Sequence, residues 1–192
     1  MNTKVYRLVN ILTYYRLAAA PLLLWLLIDE QPGLFKWLLA FSFLTDAIDG
    51  FLARKFKVTS VLGARLDSVA DDLTIAVAIL GIVLYRPDFL RTEWVLVAVI
   101  VFLYITQNSL ALIRYRKLTS FHTYTAKIAA VFQAGFLLLF YFSPGPMESV
   151  FYFAAALTIA DLAEEIALTL LLPTWEADVK GLFWMLKRKQ RV

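Results

Sequence analysis

Asp46, Asp49, Asp67 and Asp71 are the residues whose type and spacing can do chemistry. The first pair is spaced i, i+3 and the second i, i+4, so each pair lies on one face of a helix. Gly50, Ala53, Arg54 and Gly63 stand between the pairs. Gly50 and Ala53 strip side-chain bulk from the face beside the acids, which admits a ligand or a neighbouring helix. A single Asp near a helix end is commonly a cap or a solvated charge. Four at these spacings, in apolar text, need a stronger reason. An ionisable group near mid-bilayer costs ~2.5–3.5 kcal/mol on insertion scales. Two like charges about 4 Å apart repel by ~4 kcal/mol at an effective dielectric near 20. A cation must therefore neutralise the cluster, or some carboxylates must be protonated. All-oxygen donor sets suit Mg²⁺, Mn²⁺ or Ca²⁺, and paired ions of this kind polarise a phosphoryl oxygen. Asp72 points about 100° away around the helix and fits a supporting role better than a ligating one.

The elements that must position these acids follow from composition. Of 192 residues, 61% are hydrophobic and 18% charged, against about 45–50% and about 25% in soluble domains. That shift points to lipid. There is no cysteine, which excludes disulfides and thiolate metal sites. Ala18-Ala19-Ala20 resembles a small-residue cleavage site, but Asn10, Thr13, Tyr14, Tyr15 and Arg16 are too polar for the apolar core of a leader. The first segment is therefore expected to be a retained helix.

A spanning helix needs ~20 mostly apolar residues. Six stretches qualify, at about 9–28, 34–53, 61–85, 92–113, 122–142 and 149–172, separated by breakers such as Gln31-Pro32-Gly33 and Arg86-Pro87-Asp88. The expected fold is all-α, an integral membrane protein of six transmembrane helices forming one domain over 1–192. Lys4, Arg7, Arg54, Lys55, Lys57, Arg65, Arg114, Arg116 and Lys117 fall on alternate connections, which places both termini in the cytoplasm. The tail, about 174–192, joins Leu182, Phe183, Trp184, Met185 and Leu186 to Lys187, Arg188, Lys189 and Arg191. It is expected to lie along the inner leaflet.

The text Asp46-Ala-Ile-Asp49-Gly50-Phe-Leu-Ala53-Arg54, eight residues, then Gly63-Ala-Arg-Leu-Asp67-Ser-Val-Ala-Asp71 resembles the signature of the CDP-alcohol phosphotransferases, D-x-x-D-G-x-x-A-R-x8-G-x-x-x-D-x-x-x-D, at every fixed position. Asn10-Ile-Leu-Thr13-Tyr-Tyr-Arg16 is similar to the family's N-terminal stretch. The resemblance implies six spanning helices with the site at the cytoplasmic face. It implies that Asp46, Asp49, Asp67 and Asp71 ligate two ions, Mg²⁺ or Mn²⁺, and that Asp71 doubles as general base. Gly50, Ala53, Arg54 and Gly63 would line the CDP pocket. The implied reaction moves a phosphatidyl-type group from a CDP-diacylglycerol-like lipid to a small alcohol, releasing CMP without a covalent enzyme intermediate. A homodimer is compatible with the family's habit. Membrane lipids, and no nucleic acid, are the expected surroundings, and a bacterial cytoplasmic membrane fits.

Acceptor residues are read from the second half. Arg114, Arg116 and Lys127 are candidates for a phosphorylated acceptor, since guanidinium binds phosphate bidentately; a positive-inside anchor explains Arg114, Arg116 and Lys117 equally well. Ala126-Lys127-Ile-Ala129-Ala130-Val-Phe-Gln133 is similar to the G-K-x-K-T-x-x-Q stretch of phosphatidylglycerophosphate synthases at Lys127 and Gln133. Ala126, Ala129 and Ala130 depart from it, which weighs against glycerol 3-phosphate as the acceptor. Asp161, Glu164 and Glu165 share one helix face inside an apolar run and need partners: Lys127, a rim arginine or water. Acids so placed also occur in proton relays, which keeps a non-enzymatic cation-binding or proton-coupled carrier as the rival reading.

Overall fold

The computed structural model describes residues 3–56, 61–119, 121, 123–143, 145 and 147–189. Side chains are described within them except at 3–6, 9, 10, 53, 54, 61–65, 67, 68 and 189. Seven helices account for nearly all of these residues: α1 (Thr3–Ile28), α2 (Pro32–Phe56), α3 (Val61–Tyr85), α4 (Pro87–Tyr115), α5 (Tyr124–Phe142), α6 (Glu148–Leu171) and α7 (Leu182–Lys189). No strand occurs among the described residues. Pro32 and Pro87 open α2 and α4, where a missing N–H leaves no helical bond unmade. The helices fall into two compact units, Met1–Leu90 and Arg91–Val192.

Three helices are long and apolar enough to cross a membrane, over Ile11–Ile28, Pro87–Tyr115 and Tyr124–Phe142. The six-span expectation is thus met at only three places among the described residues. Length does not set the other long helices apart from these. Helices α2, α3 and α6 have 25, 25 and 24 residues, which at 1.5 Å per residue exceeds the ~30 Å hydrocarbon layer. They also carry the acids singled out above.

In the first unit α1 packs against both α2 and α3, which touch each other sparingly. Helices α2 and α3 thus have α1 as their common neighbour. Ala19, Ala20, Leu23, Leu26 and Leu27 of α1 are buried with Phe35 and Leu39 of α2 and Ala70, Val77, Ala78 and Ile82 of α3. The small Ala19 and Ala20 allow close helix approach. The turn from α1 to α2 is tight: the N–H of Gln31 reaches the Leu26 carbonyl at 2.9 Å and that of Glu30 the Leu27 carbonyl at 3.3 Å. Glu30 supplies the left-handed residue this closure needs, at φ 53°.

In the second unit α5 packs along α6, with Phe136 and Phe140 of α5 and Phe151 and Ala155 of α6 buried. Gln133 donates to Thr158 at 2.7 Å between the two helices. Near the other end of α6, α7 folds back: Met185 joins Phe121, Leu168 and Leu172 in a small core that Val179 and Leu182 flank. Gly181 makes that fold possible. Its φ is +144°, and a Cβ there would lie 2.9 Å from Glu164 Oε1 and 3.3 Å from the Trp184 ring.

Candidate functional site

Arg16 is the centre of the candidate site. It lies on α1 at 1% exposure, as deeply buried as Leu23 and Leu27 of the same helix. Its Nη1 donates to Asp46 Oδ1 at 2.6 Å and to Asp71 Oδ1, and its Nη2 to Asp49 Oδ2 at 3.4 Å. The i, i+3 pair of α2 and one acid of α3 thus converge on one guanidinium from the third helix of the unit. Planarity matters: a fork of N–H groups can serve several carboxylates at once, which a lysine's point charge does less well. Asp49 is buried at 2% exposure, whereas the side chains of Asp46 and Asp71 remain 42% and 39% exposed. The cluster is therefore anchored at its floor and open on one side.

The other residues read from the sequence are placed as follows. Gly50 is half-buried directly after Asp49, and Asp72 is exposed. Ala53 and Arg54 lie in the last turns of α2 and Gly63 and Asp67 in the first turns of α3, but their side chains lie outside the described residues. Arg114, Arg116 and Lys127 belong to the second unit. Arg114 donates from Nε and Nη2 to the Leu172 carbonyl at 3.3 and 3.1 Å, and Tyr115 OH donates to the Thr169 and Leu172 carbonyls, each at 2.9 Å. Both satisfy carbonyls left open at the C-terminus of α6. Arg116 takes the left-handed conformation that ends α4, at φ 55°. Lys127 is exposed, with Nζ 5.3 Å from the centre of the Tyr124 ring.

Of the partners expected for the acids of α6, Lys127, a rim arginine or water, neither cation is the one these contacts supply. Asp161 accepts from Thr123 at 3.2 Å. Glu165 accepts from Gln107 at 2.7 Å and Thr119 at 3.3 Å. Glu164 accepts from the Thr125 hydroxyl and, at 2.8 Å, from the backbone N–H of Leu182. Hydroxyls, an amide and a helix N-terminus thus satisfy them, and together they tie the α4–α5 connection and α7 to α6. Thr123 is also the N-cap of α5, accepting from the Ala126 N–H at 2.9 Å. Thr123→Ala should therefore lose a cap and a partner for Asp161, a destabilisation of about 2 kcal/mol. Thermal unfolding of the detergent-solubilised protein measures it, and an unchanged transition would show the cap to be idle.

Sequence reasoning had Arg16 within its N-terminal motif but gave it no task. The available signal was an arginine in the middle of an otherwise spanning segment, where such a charge needs an acidic partner.

A helical protein with membrane-length apolar helices, carrying clustered carboxylates and a buried guanidinium on three packed helices, belongs to the class of membrane proteins that handle charged groups within an apolar scaffold. The family is shown by comparison. The family model for CDP-alcohol phosphatidyltransferase matches residues 6–170, and the chain belongs to that family of transferases. A cardiolipin synthase (CMP-forming) of Streptomyces coelicolor is 38% identical over 85 residues, 41% of this chain and 40% of the relative. A CDP-diacylglycerol–glycerol-3-phosphate 3-phosphatidyltransferase of Pectobacterium atrosepticum is 37% identical over 83 residues, 42% of this chain and 46% of the relative. A CDP-diacylglycerol–inositol 3-phosphatidyltransferase of Saccharomyces cerevisiae is 42% identical over 62 residues, 32% of this chain and 28% of the relative. The chain spans less than half the length of these curated relatives. No solved structure matches it.

The family is generally dependent on a divalent metal, and the donor set tests whether the cluster suits one. Asp46 and Asp71 each present an oxygen to the same nitrogen of Arg16, so those two oxygens are close neighbours, and both are hard donors of the kind Mg²⁺ takes. Among the described residues no group of three or more acids is drawn together tightly enough to hold an ion. The chemistry of the donors fits, provided Arg16 yields its place.

Proposed function

We propose that this chain transfers a phosphatidyl-type group from a CDP-diacylglycerol-like lipid to a small hydroxylated acceptor, releasing CMP, as a step of phospholipid synthesis. The observation that carries the reading is the convergence of Asp46, Asp49 and Asp71, three fixed positions of the family signature, on one buried guanidinium. Asp46, Asp49, Asp67 and Asp71 would hold two Mg²⁺ or Mn²⁺ ions. When bound, such ions supply charge stabilisation at the pyrophosphate. Asp71, partly open to solvent, accepts the proton of the acceptor hydroxyl. The hydroxyl oxygen then forms its bond to the lipid-linked phosphorus as the bond from that phosphorus to the CMP oxygen breaks. Gly50, Ala53 and Gly63 leave room for the nucleotide, and Arg54 meets its phosphate. Arg16 holds Asp46, Asp49 and Asp71 together until the ions take its place.

In this reading the two units act as one catalytic domain over 1–192, which the span of the family match across both supports. The six long helices all cross the bilayer, with both termini and the site on the cytoplasmic side of a bacterial inner membrane, and two copies pair. The subtype favoured is a phosphatidylglycerophosphate synthase, in which Arg116 and Lys127 bind the acceptor phosphate while Arg114 is committed to α6. Relatives named for glycerol 3-phosphate and for cardiolipin synthesis both support a glycerol-based acceptor.

The test is CMP release by purified protein with CDP-diacylglycerol and Mg²⁺ across glycerol 3-phosphate, phosphatidylglycerol, inositol and serine. Release with glycerol 3-phosphate, and a KM for it raised about tenfold by Lys127→Ala, supports the subtype; a charged contact of this kind is worth ~1.5–3 kcal/mol. Release with phosphatidylglycerol alone would assign a lipid acceptor instead. If no acceptor yields CMP and ion flux is measurable, the carrier reading replaces this one.

A further inference from the structure

We propose that α7 is a foot that seats on the anionic surface of the chain's own membrane, and that this seating holds the α4–α5 connection, with Lys127, in place. The first half rests on α7 itself. Its Met185 side is packed against Phe121, Leu168 and Leu172. Its neighbouring edge is apolar and open: Phe183 is 65% exposed and Leu186 44%. Lys187 follows on the same open side. From Pro173 to Val192 the tail carries Lys180, Lys187, Arg188, Lys189 and Arg191 against Glu176 and Asp178, a net charge of +3 (5 − 2). An apolar edge flanked by cations is complementary to an anionic leaflet, where the rings sink to headgroup depth and the cations meet phosphate. The apolar spans that begin and end beside this tail, in α4 and α5, bring such a surface within reach.

The second half rests on how α7 is fastened. The Lys180 carbonyl accepts from the Tyr124 N–H at 3.2 Å. Glu164 takes both the first N–H of α7, at Leu182, and the Thr125 hydroxyl in the first turn of α5. The Trp184 ring lies 5.0 Å from that of Tyr124, and Lys127 Nζ lies 5.3 Å from the centre of the same Tyr124 ring. The joint is closely packed, since a Cβ at Gly181 would lie 2.9 Å from Glu164 Oε1 and 3.3 Å from the Trp184 ring. A displacement of α7 therefore reaches the Tyr124 backbone N–H and the Thr125 hydroxyl. Only the link from Lys127 to an acceptor depends on the proposed phosphotransfer; the seating does not.

The chain contains no cysteine, so a nitroxide on Phe183→Cys reports from one place. The full-length protein is reconstituted in vesicles of phosphatidylcholine alone or of equal phosphatidylcholine and phosphatidylglycerol. Collisions of the nitroxide with oxygen and with a water-soluble nickel chelate then give its depth. In the anionic vesicles oxygen should dominate. The nickel chelate should gain severalfold in the neutral ones, and likewise on adding Lys187→Glu with Lys189→Glu, since each basic residue near an anionic leaflet contributes roughly fivefold in binding. Equal nickel access in both vesicles would mean that the edge lies in water, and the proposal falls. Exclusion of both probes would mean that protein, such as a second copy, covers the edge, and the proposal falls again. The coupling is read separately: with the double Lys→Glu variant the KM for glycerol 3-phosphate should rise severalfold with kcat retained. An unmoved KM beside a lifted nitroxide overturns the coupling, whereas absence of CMP release from the unsubstituted chain counts against the proposed activity and leaves the depth measurement to stand or fall alone.

Discussion

Asp71→Asn should lower CMP release by about 10²–10⁴-fold, the range over which a positioned general base acts. The substitution keeps the shape of the side chain and an acceptor for the Arg16 guanidinium, with which Asp71 pairs. It removes the capacity to take a proton from an alcohol. The protein should therefore remain folded and retain CDP-lipid, so that the loss appears in kcat, not in lipid binding. A partly exposed carboxylate at the open side of the cluster suits this task better than Asp49, which is buried at 2% exposure against Arg16. Steady-state kinetics with binding of the CDP-lipid measured in parallel checks the assignment. Normal turnover by the Asp71→Asn protein would remove Asp71 from the role of base, and loss of lipid binding would make it a binding residue instead.

Arg16→Met should destabilise the first unit by about 3 kcal/mol in a chelating buffer. Removing one partner of a buried ion pair typically costs ~3–5 kcal/mol. Here the lower end applies, because Asp46 and Asp71 are 42% and 39% exposed and water screens them. Methionine fills similar space, so the change isolates the charge. Carboxylates deprived of the guanidinium repel one another, and a divalent cation should then restore more stability to the variant than it adds to the unsubstituted chain. Thermal unfolding in detergent, with EDTA and with Mg²⁺, gives both numbers. Arg16→Lys should fall between, since one ammonium cannot bridge Asp46, Asp71 and Asp49 as a planar fork does. Equal responses to Mg²⁺ in variant and parent would show that Arg16 and the ion do not compete for the same oxygens.

Periodicity and spacing by themselves determined that this chain is helical, that it contains apolar segments of membrane length, and that Asp46 with Asp49 and Asp67 with Asp71 form pairs on single helix faces. These are local properties, set within one or two turns by the 3.6-residue repeat. Signature spacing, equally local, was enough to indicate the family that the match over residues 6–170 establishes. Hydropathy was less decisive: among the described residues three helices pass as spans on length and composition.

Tertiary structure decided which faces meet. That α1, not a direct α2–α3 contact, organises the first unit depends on the small Ala19 and Ala20 and on a buried Arg16, and no repeat in the text says which neighbour an arginine will find. The partners of Asp161, Glu164 and Glu165 were likewise hidden, because Gln107, Thr119, Thr123, Thr125 and the Leu182 N–H come from other parts of the chain, 18 to 58 positions away. Arg114 was readable as a cation near a helix end but not as the donor to the last carbonyl of α6. A side chain's own sequence neighbourhood fixes its direction from the helix axis. Its partner is fixed only when helices distant in sequence pack, since each buried polar group must then be satisfied by whatever the fold brings within reach.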